Sequence, residues 1–190
     1  LYENFGEDIQ SKVEEYHLRN GGVSRFVKIR YFHEEFLGKT ISDNELSLLA
    51  SKFSRLVVDE VISSPYVKGV IEFLEYCAER KIKCWVISGT PTLELKNICK
   101  NLGIEKYFVD ILGSPENKTF YCEKIINDYG LCPKEIIFIG DACTDVEAAN
   151  NFKIQTFFRE HSLNSFSSSK FNGFKFNNFD NRLKSKMESL

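Results

Sequence analysis

The chain has 190 residues, enough for one ordinary domain or one domain with a modest insertion. Hydrophobic residues make up 43%, sufficient for a real core, and 17 Phe imply that aromatics fill much of it. The 25 basic and 27 acidic residues are well mixed and leave a net charge of −2, so no basic stripe points to nucleic acid and no polybasic face to a membrane surface.

In chain order, residues 1–62 have helical periodicity and no strand-like run. Leu1–Asn4 reads as a helix end closed by Gly6, and Asp8–Leu18 as a helix stopped by "NGG". Arg25–Phe36 is an aromatic helix ended by Gly38, and Asp43–Ile62 a long one whose first turn, "SDNEL", carries acids at the positive end of the dipole. After "SSP" at 63–65 the rhythm changes to helix alternating with short apolar strand. Helices are predicted over Val67–Arg80, Thr90–Asn101, Thr119–Tyr129, Asp145–Asn151 and Asn181–Ser189. Pro91 suits the first turn of the second of these helices, and Gly103 its C-terminal cap. Strands are predicted over Lys83–Ser88, Phe108–Leu112, Ile136–Ile139 and Ile154–Phe158, with "FKF" as a short last one after the polar loop "EHSLNSFSSSKFNG". Such alternation implies a parallel, Rossmann-like α/β sheet with helices on both faces.

The six cysteines are scattered, with no C-x-x-C pair and no clustered His, which fits reduced thiols in a cytoplasmic protein. Apolar stretches are too short to span a bilayer, and no signal-peptide core is visible at the start. The chain does not begin with Met, which leaves room for a segment upstream of Leu1.

Functional groups of open parallel sheets gather beyond the carboxyl ends of the strands. In "IIFIGDACTDVEAA", Asp141 ends an apolar strand and Asp145 opens the next helix. Asp145 alone fits a helix-start acid, but two acids around one tight turn also supply the hard oxygens that Mg²⁺ takes. In "VISGTP", the Ser88 hydroxyl and neighbouring N–H groups suit an anion's oxygens, or simply a strand-to-helix turn. Lys118, in "GSPENKTF", sits where a cation opposes the helix dipole: a surface residue, or one recruited to neutralise a phosphate.

In this order (strand-end Ser88, pre-helix Lys118, then "GDACTD") the chain resembles the haloacid dehalogenase-like (HAD) hydrolases, particularly the phosphoglycolate phosphatase-like branch. The resemblance covers residues 65–160. It implies a helical cap over 1–64 and a HAD-like α/β core over 65–190. It further implies a phosphatase of a small phosphorylated metabolite that uses Mg²⁺ and an aspartyl-phosphate. Ser88 and Gly89 would grip a phosphoryl oxygen and Lys118 would offset charge. Asp141 would ligate the metal, and Asp145 would hold a metal-bound water or orient the site. Cap residues usually choose the substrate, and Arg25, in "NGGVSRF", is the candidate to reach a substrate carboxylate or phosphate, or else a surface arginine. His17 and His33 fit packed or surface helix positions.

The family's first motif, a strand-end Asp-x-Asp that supplies the nucleophile, is not in this sequence. Asp43-Asn44-Glu45 has no apolar strand before it and begins a helix. Either an upstream segment is missing from the chain or the protein has lost its nucleophile. The first explanation is preferred, because in this fold the opening strand is central. Deleting it leaves two half-sheets with unpaired edges facing a gap. The chain is therefore expected to be inactive by itself and poorly folded unless another polypeptide fills the gap. A non-catalytic binding or regulatory protein and a phosphomutase are the alternatives; a dehalogenase or a receiver-like domain fits less well.

Overall fold

The computed structural model describes residues 1–189, the Phe166 side chain excepted. The first part is helical: α1 (Glu7–Arg19), α2 (Arg25–Tyr31) and α3 (Asp43–Ser63). Ile29, Ile41, Leu46 and Ala50 form its small core. Tyr16, Tyr31, Phe32 and Phe36 stack or meet edge-on beside it. The single aromatic helix expected over 25–36 loses its α-helical pitch at Phe32–Phe36, where the Leu37 N–H reaches back five residues to the Phe32 carbonyl. This wider turn brings Phe32 and Phe36 into a stack at 5.7 Å. At the start of α3, Ser42 and Glu45 cap each other reciprocally through side chain and backbone.

The second part follows the predicted alternation. It runs α4 (Val70–Glu79), β1 (Trp85–Pro91), α5 (Thr92–Asn101), β2 (Asp110–Ser114), α6 (Lys118–Tyr129) and β3 (Ile137–Gly140). It continues through α7 (Cys143–Asn151), β4 (Gln155–Arg159), a short α8 (Ser165–Ser169), β5 (Phe174–Phe176) and α9 (Asn181–Glu188). α8 lies inside the stretch expected to be loop. α4 starts three residues later than expected, because Gly69 adopts a left-handed φ of 82°. A Cβ there would meet the Phe179 carbonyl oxygen at 2.1 Å.

All strand pairs are parallel, but the sheet is in two leaves: β1 with β2, and β3–β4–β5. Among the described residues β1 and β3 therefore each have a partner along one edge, the arrangement expected when a central strand is absent. Burial reports the same thing. The interiors of β2 and β4 are buried, whereas every residue of β1 and β3 is only part-buried. Side chains hold the leaves together in place of backbone hydrogen bonds. On one face Ile87 of β1 and Phe138 of β3 share a cluster with Cys122, Ala148 and Ala149 of α6 and α7. On the other, Cys84, Ile137 and Ile139 pack with Phe73, Cys77, Phe157 and Leu183.

Phe157 is fully buried at the centre of that second cluster. Phe157→Ala should cost about 3–5 kcal/mol of stability through lost burial plus a residual cavity, read as a lowered urea midpoint.

Candidate active site

Asp145 is only 4% exposed, and a carboxylate so buried must be hydrogen-bonded or paired. Both conditions are met. Its Oδ2 accepts the N–H groups of Asp141 (3.1 Å) and Ala142 (3.0 Å), tying the β3–α7 turn into a tight loop. Its Oδ1 accepts from Nζ of Lys118. Gly140 makes room for this, since a Cβ there would fall 2.3 Å from the Asp145 carboxyl carbon. Lys118 is brought to the spot by the start of α6, where the Asn117 side chain caps the Phe120 N–H at 2.8 Å. The pair joins two βα connections, with both side chains about nine-tenths buried.

Asp141 is different: its carboxylate is half exposed, and its Oδ2 lies 3.3 Å from His161 Nε2. Its carbonyl accepts from the buried Asn164 side chain (2.9 Å), which also donates to Arg159 O (2.8 Å) and accepts the His161 N–H. One amide thus fastens the segment after β4 to the end of β3. Sequence reasoning missed both His161 and Asn164. They lie in a polar stretch with no periodicity, and only the fold brings them beside Asp141.

At the end of β1, the Ser88 oxygen accepts the Thr90 N–H at 3.1 Å, which leaves its own proton free to donate. The connection to Lys118 runs through the "NGG" turn. A Cβ on Gly89 would meet the Gly22 carbonyl oxygen at 2.6 Å. A Cβ on Gly22, whose φ is +78°, would meet Thr144 Oγ1 at 2.3 Å and Lys118 Nζ at 2.7 Å. Thr144 in turn donates to the Gly21 carbonyl at 3.3 Å. Three loops of the α/β part, from β1, β2 and β3, therefore close around one cap turn. Gly89 and Lys118 both approach Gly22, Ser88 precedes Gly89, and Asp145 links Lys118 to the backbone of Asp141.

A cavity of about 760 Å³ opens between Ser88–Thr90 and the helical part. Arg25 lines it but is already engaged. Its guanidinium makes a two-pronged ion pair with Glu94 of α5 (2.6 and 2.8 Å) and donates to Ser54 of α3 (2.6 Å). Arg25 thus bolts α2 and α3 to α5. Deeper in the wall lies Lys28, whose ammonium burial pushes down from 10.5 to about 8. His17 beside it is also held below its usual value, by burial first and then by the Lys28 charge.

Among the described residues no three His, Cys, Asp or Glu side chains gather into a metal cluster. Asp141 offers one half-exposed carboxylate of the hard-oxygen type that Mg²⁺ takes alongside waters. Both Asp145 oxygens are engaged, so in this arrangement Asp145 suits a positioning role and Asp141 that of a ligand.

The architecture is a parallel α/β fold preceded by a helical part, with loops from three strand ends gathered beside one turn of that part. A family profile described as haloacid dehalogenase-like hydrolase matches residues 2–153, and the chain belongs to that family. It is 25% identical over 126 residues to a phosphoglycolate phosphatase of Pasteurella multocida, a match covering 60% of this chain and 53% of that protein. To the phosphoglycolate phosphatase of Mannheimia succiniciproducens it is 27% identical over 128 residues, covering 62% and 55%. The chain spans about half the length of the curated relatives it matches. The fold is shared with the crystal structure of a predicted phosphoglycolate phosphatase from Haemophilus somnus (TM-score 0.69, 19% identity, covering 94% of this chain and 88% of that one). It is shared also with β-phosphoglucomutase from Clostridium difficile (TM-score 0.69, 20% identity, covering 88% and 78%).

Two outcomes test this geometry. Lys118→Met leaves the buried Asp145 carboxylate unpaired and should cost about 3–5 kcal/mol in chemical denaturation, whereas Asp141→Asn, at a half-exposed site, should cost less than about 1 kcal/mol. Lys28 provides a pH signature. Between about pH 8 and 10.5 the unfolded chain holds a proton on this residue that the folded chain has lost, so stability rises with pH across that window. The rise should be absent from Lys28→Met, so the difference between wild type and this variant in melts run at stepped pH should contain it.

Proposed function

We propose that the chain forms most of a Mg²⁺-dependent phosphatase acting on a small phosphorylated metabolite, with 1–64 as cap and 65–190 as α/β core. The observation that carries this reading is the neighbourhood of Ser88, Lys118 and the Asp141–Asp145 turn about Gly22, at the carboxyl ends of β1, β2 and β3. The open seat between β1 and β3 lies beside it and supports the need for one more strand. By the family's chemistry, that strand would end in the carboxylate that attacks phosphorus, forming an aspartyl-phosphate as the alcohol leaves; water then releases phosphate. The resemblance supplies this residue; the 190-residue chain does not.

Within that scheme the chain's own residues position and neutralise. The Ser88 hydroxyl donates to a phosphoryl oxygen. Lys118, held by Asp145, places a positive charge beside the attacking carboxylate and the phosphate. Asp141, freed from any Lys or Arg partner, holds the metal, and Asn164 fixes its backbone. Bound Mg²⁺ would supply charge neutralisation at the phosphoryl oxygens. A phosphate touching Ser88 and Lys118 together takes the place of the Gly21–Gly22 turn, so substrate entry requires the cap turn to withdraw. The Arg25–Glu94 pair restrains that motion. Among the described residues no helix is long and apolar enough to cross a membrane, and all six cysteines are free; both support a cytoplasmic enzyme.

The test compares the 190-residue chain with a version carrying an upstream apolar strand ending in Asp-x-Asp, using p-nitrophenyl phosphate and then 2-phosphoglycolate with Mg²⁺. Only the longer version should turn over, its melting temperature should be higher, and its Asp141→Asn variant should lose metal-dependent turnover by at least about 10²-fold. Hydrolysis by the short chain would overturn the proposal. Isomer interconversion without phosphate release would instead favour the phosphomutase, a reading that the β-phosphoglucomutase neighbour makes worth testing.

A further inference from the structure

Helix α2 turns a lysine inward and a valine outward. Lys28 is 6% exposed while its neighbour Val27 is 57% exposed. A buried ammonium is normally paired, and without a partner it gives up its proton more readily. Among the described residues no carboxylate lies within ion-pair distance of Lys28. Arg25, one helical turn earlier, is neutralised by Glu94, and Glu3 and Glu14 line the cavity only from exposed positions. Tyr2, in the same wall, stays protonated, because burial pushes it up to about 12. From α1 the facing group is His17, whose Nδ1 lies 3.5 Å and whose carbonyl oxygen lies 3.4 Å from Nζ. Burial holds Lys28 and His17 alike below their ordinary values. At neutral pH the pair therefore carries a far larger share of free amine than an exposed lysine, with a neutral imidazole beside it.

The buried amine also has a way in, since Lys28 lines the cavity of about 760 Å³. The same wall includes Val13, Phe32, Phe53 and Val57, so the surroundings are apolar. A desolvated amine in an apolar pocket is an activated nucleophile. From this placement we infer that Lys28 is an acylation site, modified by small activated acyl donors of the acyl phosphate class. The Nζ lone pair attacks the carbonyl carbon and a C–N bond forms. The C–O bond to phosphate breaks, and its electron pair leaves with inorganic phosphate. The extra proton on the nitrogen passes to His17 Nδ1 and from there to solvent. The product is a neutral amide, which the apolar wall holds at less cost than the ammonium it replaces. This chemistry needs neither a further strand nor ester turnover, so it stands apart from the phosphatase reading.

The experiment is acetylation of the 190-residue chain by acetyl phosphate at neutral pH, with each lysine followed by peptide mass spectrometry. The same chain in guanidinium chloride gives every lysine its reference rate without the fold. Lys28 should react at least about tenfold faster in the native chain than in denaturant, because the gain in free amine outweighs the loss of basicity. Exposed lysines such as Lys52 and Lys100 should react at similar rates in both. The Lys28 rate should level off above about pH 8, while theirs climb on towards the ordinary 10.5. A dextran-coupled active ester, too large to enter the cavity, should label Lys52 and spare Lys28. A Lys28 rate no faster in the native chain than in denaturant overturns the inference, and so does labelling of Lys28 by the dextran reagent as readily as Lys52. A native rate unchanged in His17→Gln removes His17 from the proton transfer. None of these outcomes bears on phosphate ester turnover, which is read separately.

Discussion

The arrangement of this protein turns on a single buried carboxylate. Asp145 sits under Gly140, takes two backbone N–H groups from the turn it follows, and meets the Lys118 ammonium from another connection. A charge in that position is tolerable only if every one of these partners is kept. The β3–α7 turn, the start of α6 and, through Lys118 and Thr144, the glycine turn of the cap are therefore fixed relative to one another. Asp141 is left outside this arrangement and half exposed, and can meet a ligand because its neighbour four residues on has taken the structural load.

Much of the α/β part was legible in the sequence because its signals are local. Apolar runs of four or five residues, and Gly103 after a helix, act within a few residues of where they stand. The open middle of the sheet was also foreseeable, since a strand that the family pattern requires had no counterpart in the sequence. What could not be read was long-range. Nothing near Arg25 announces Glu94, which lies 69 positions on and ties α2 to α5. His161 and Asn164 meet Asp141 only because β4 runs parallel to β3. Lys28 is the opposite case: periodicity gives no reason to bury a lysine, and its inward packing against His17 of α1 is a tertiary contact.

The two halves of the site differ in what they ask of the chain. The core half is made by strand ends and is set once the leaves form. The cap half depends on close approach: Gly89 against Gly22, and Gly22 against Lys118, leave no space for even a methyl group. Glycine serves here as a fitting surface more than as a hinge, although the positive φ of Gly22 requires it as well. Family membership accounts for the shared architecture, while the particular closeness of cap and core belongs to these residues.

Each leaf of the sheet is drawn from one uninterrupted stretch of chain, 85–114 for the first and 137–176 for the second. Neither stretch needs the other to complete its backbone pairing, and the two are joined through side-chain clusters drawn from strands and helices alike. One leaf can therefore open while the backbone pairing of the other stays intact. A strand seated between the leaves would fuse them into one unit that opens all together.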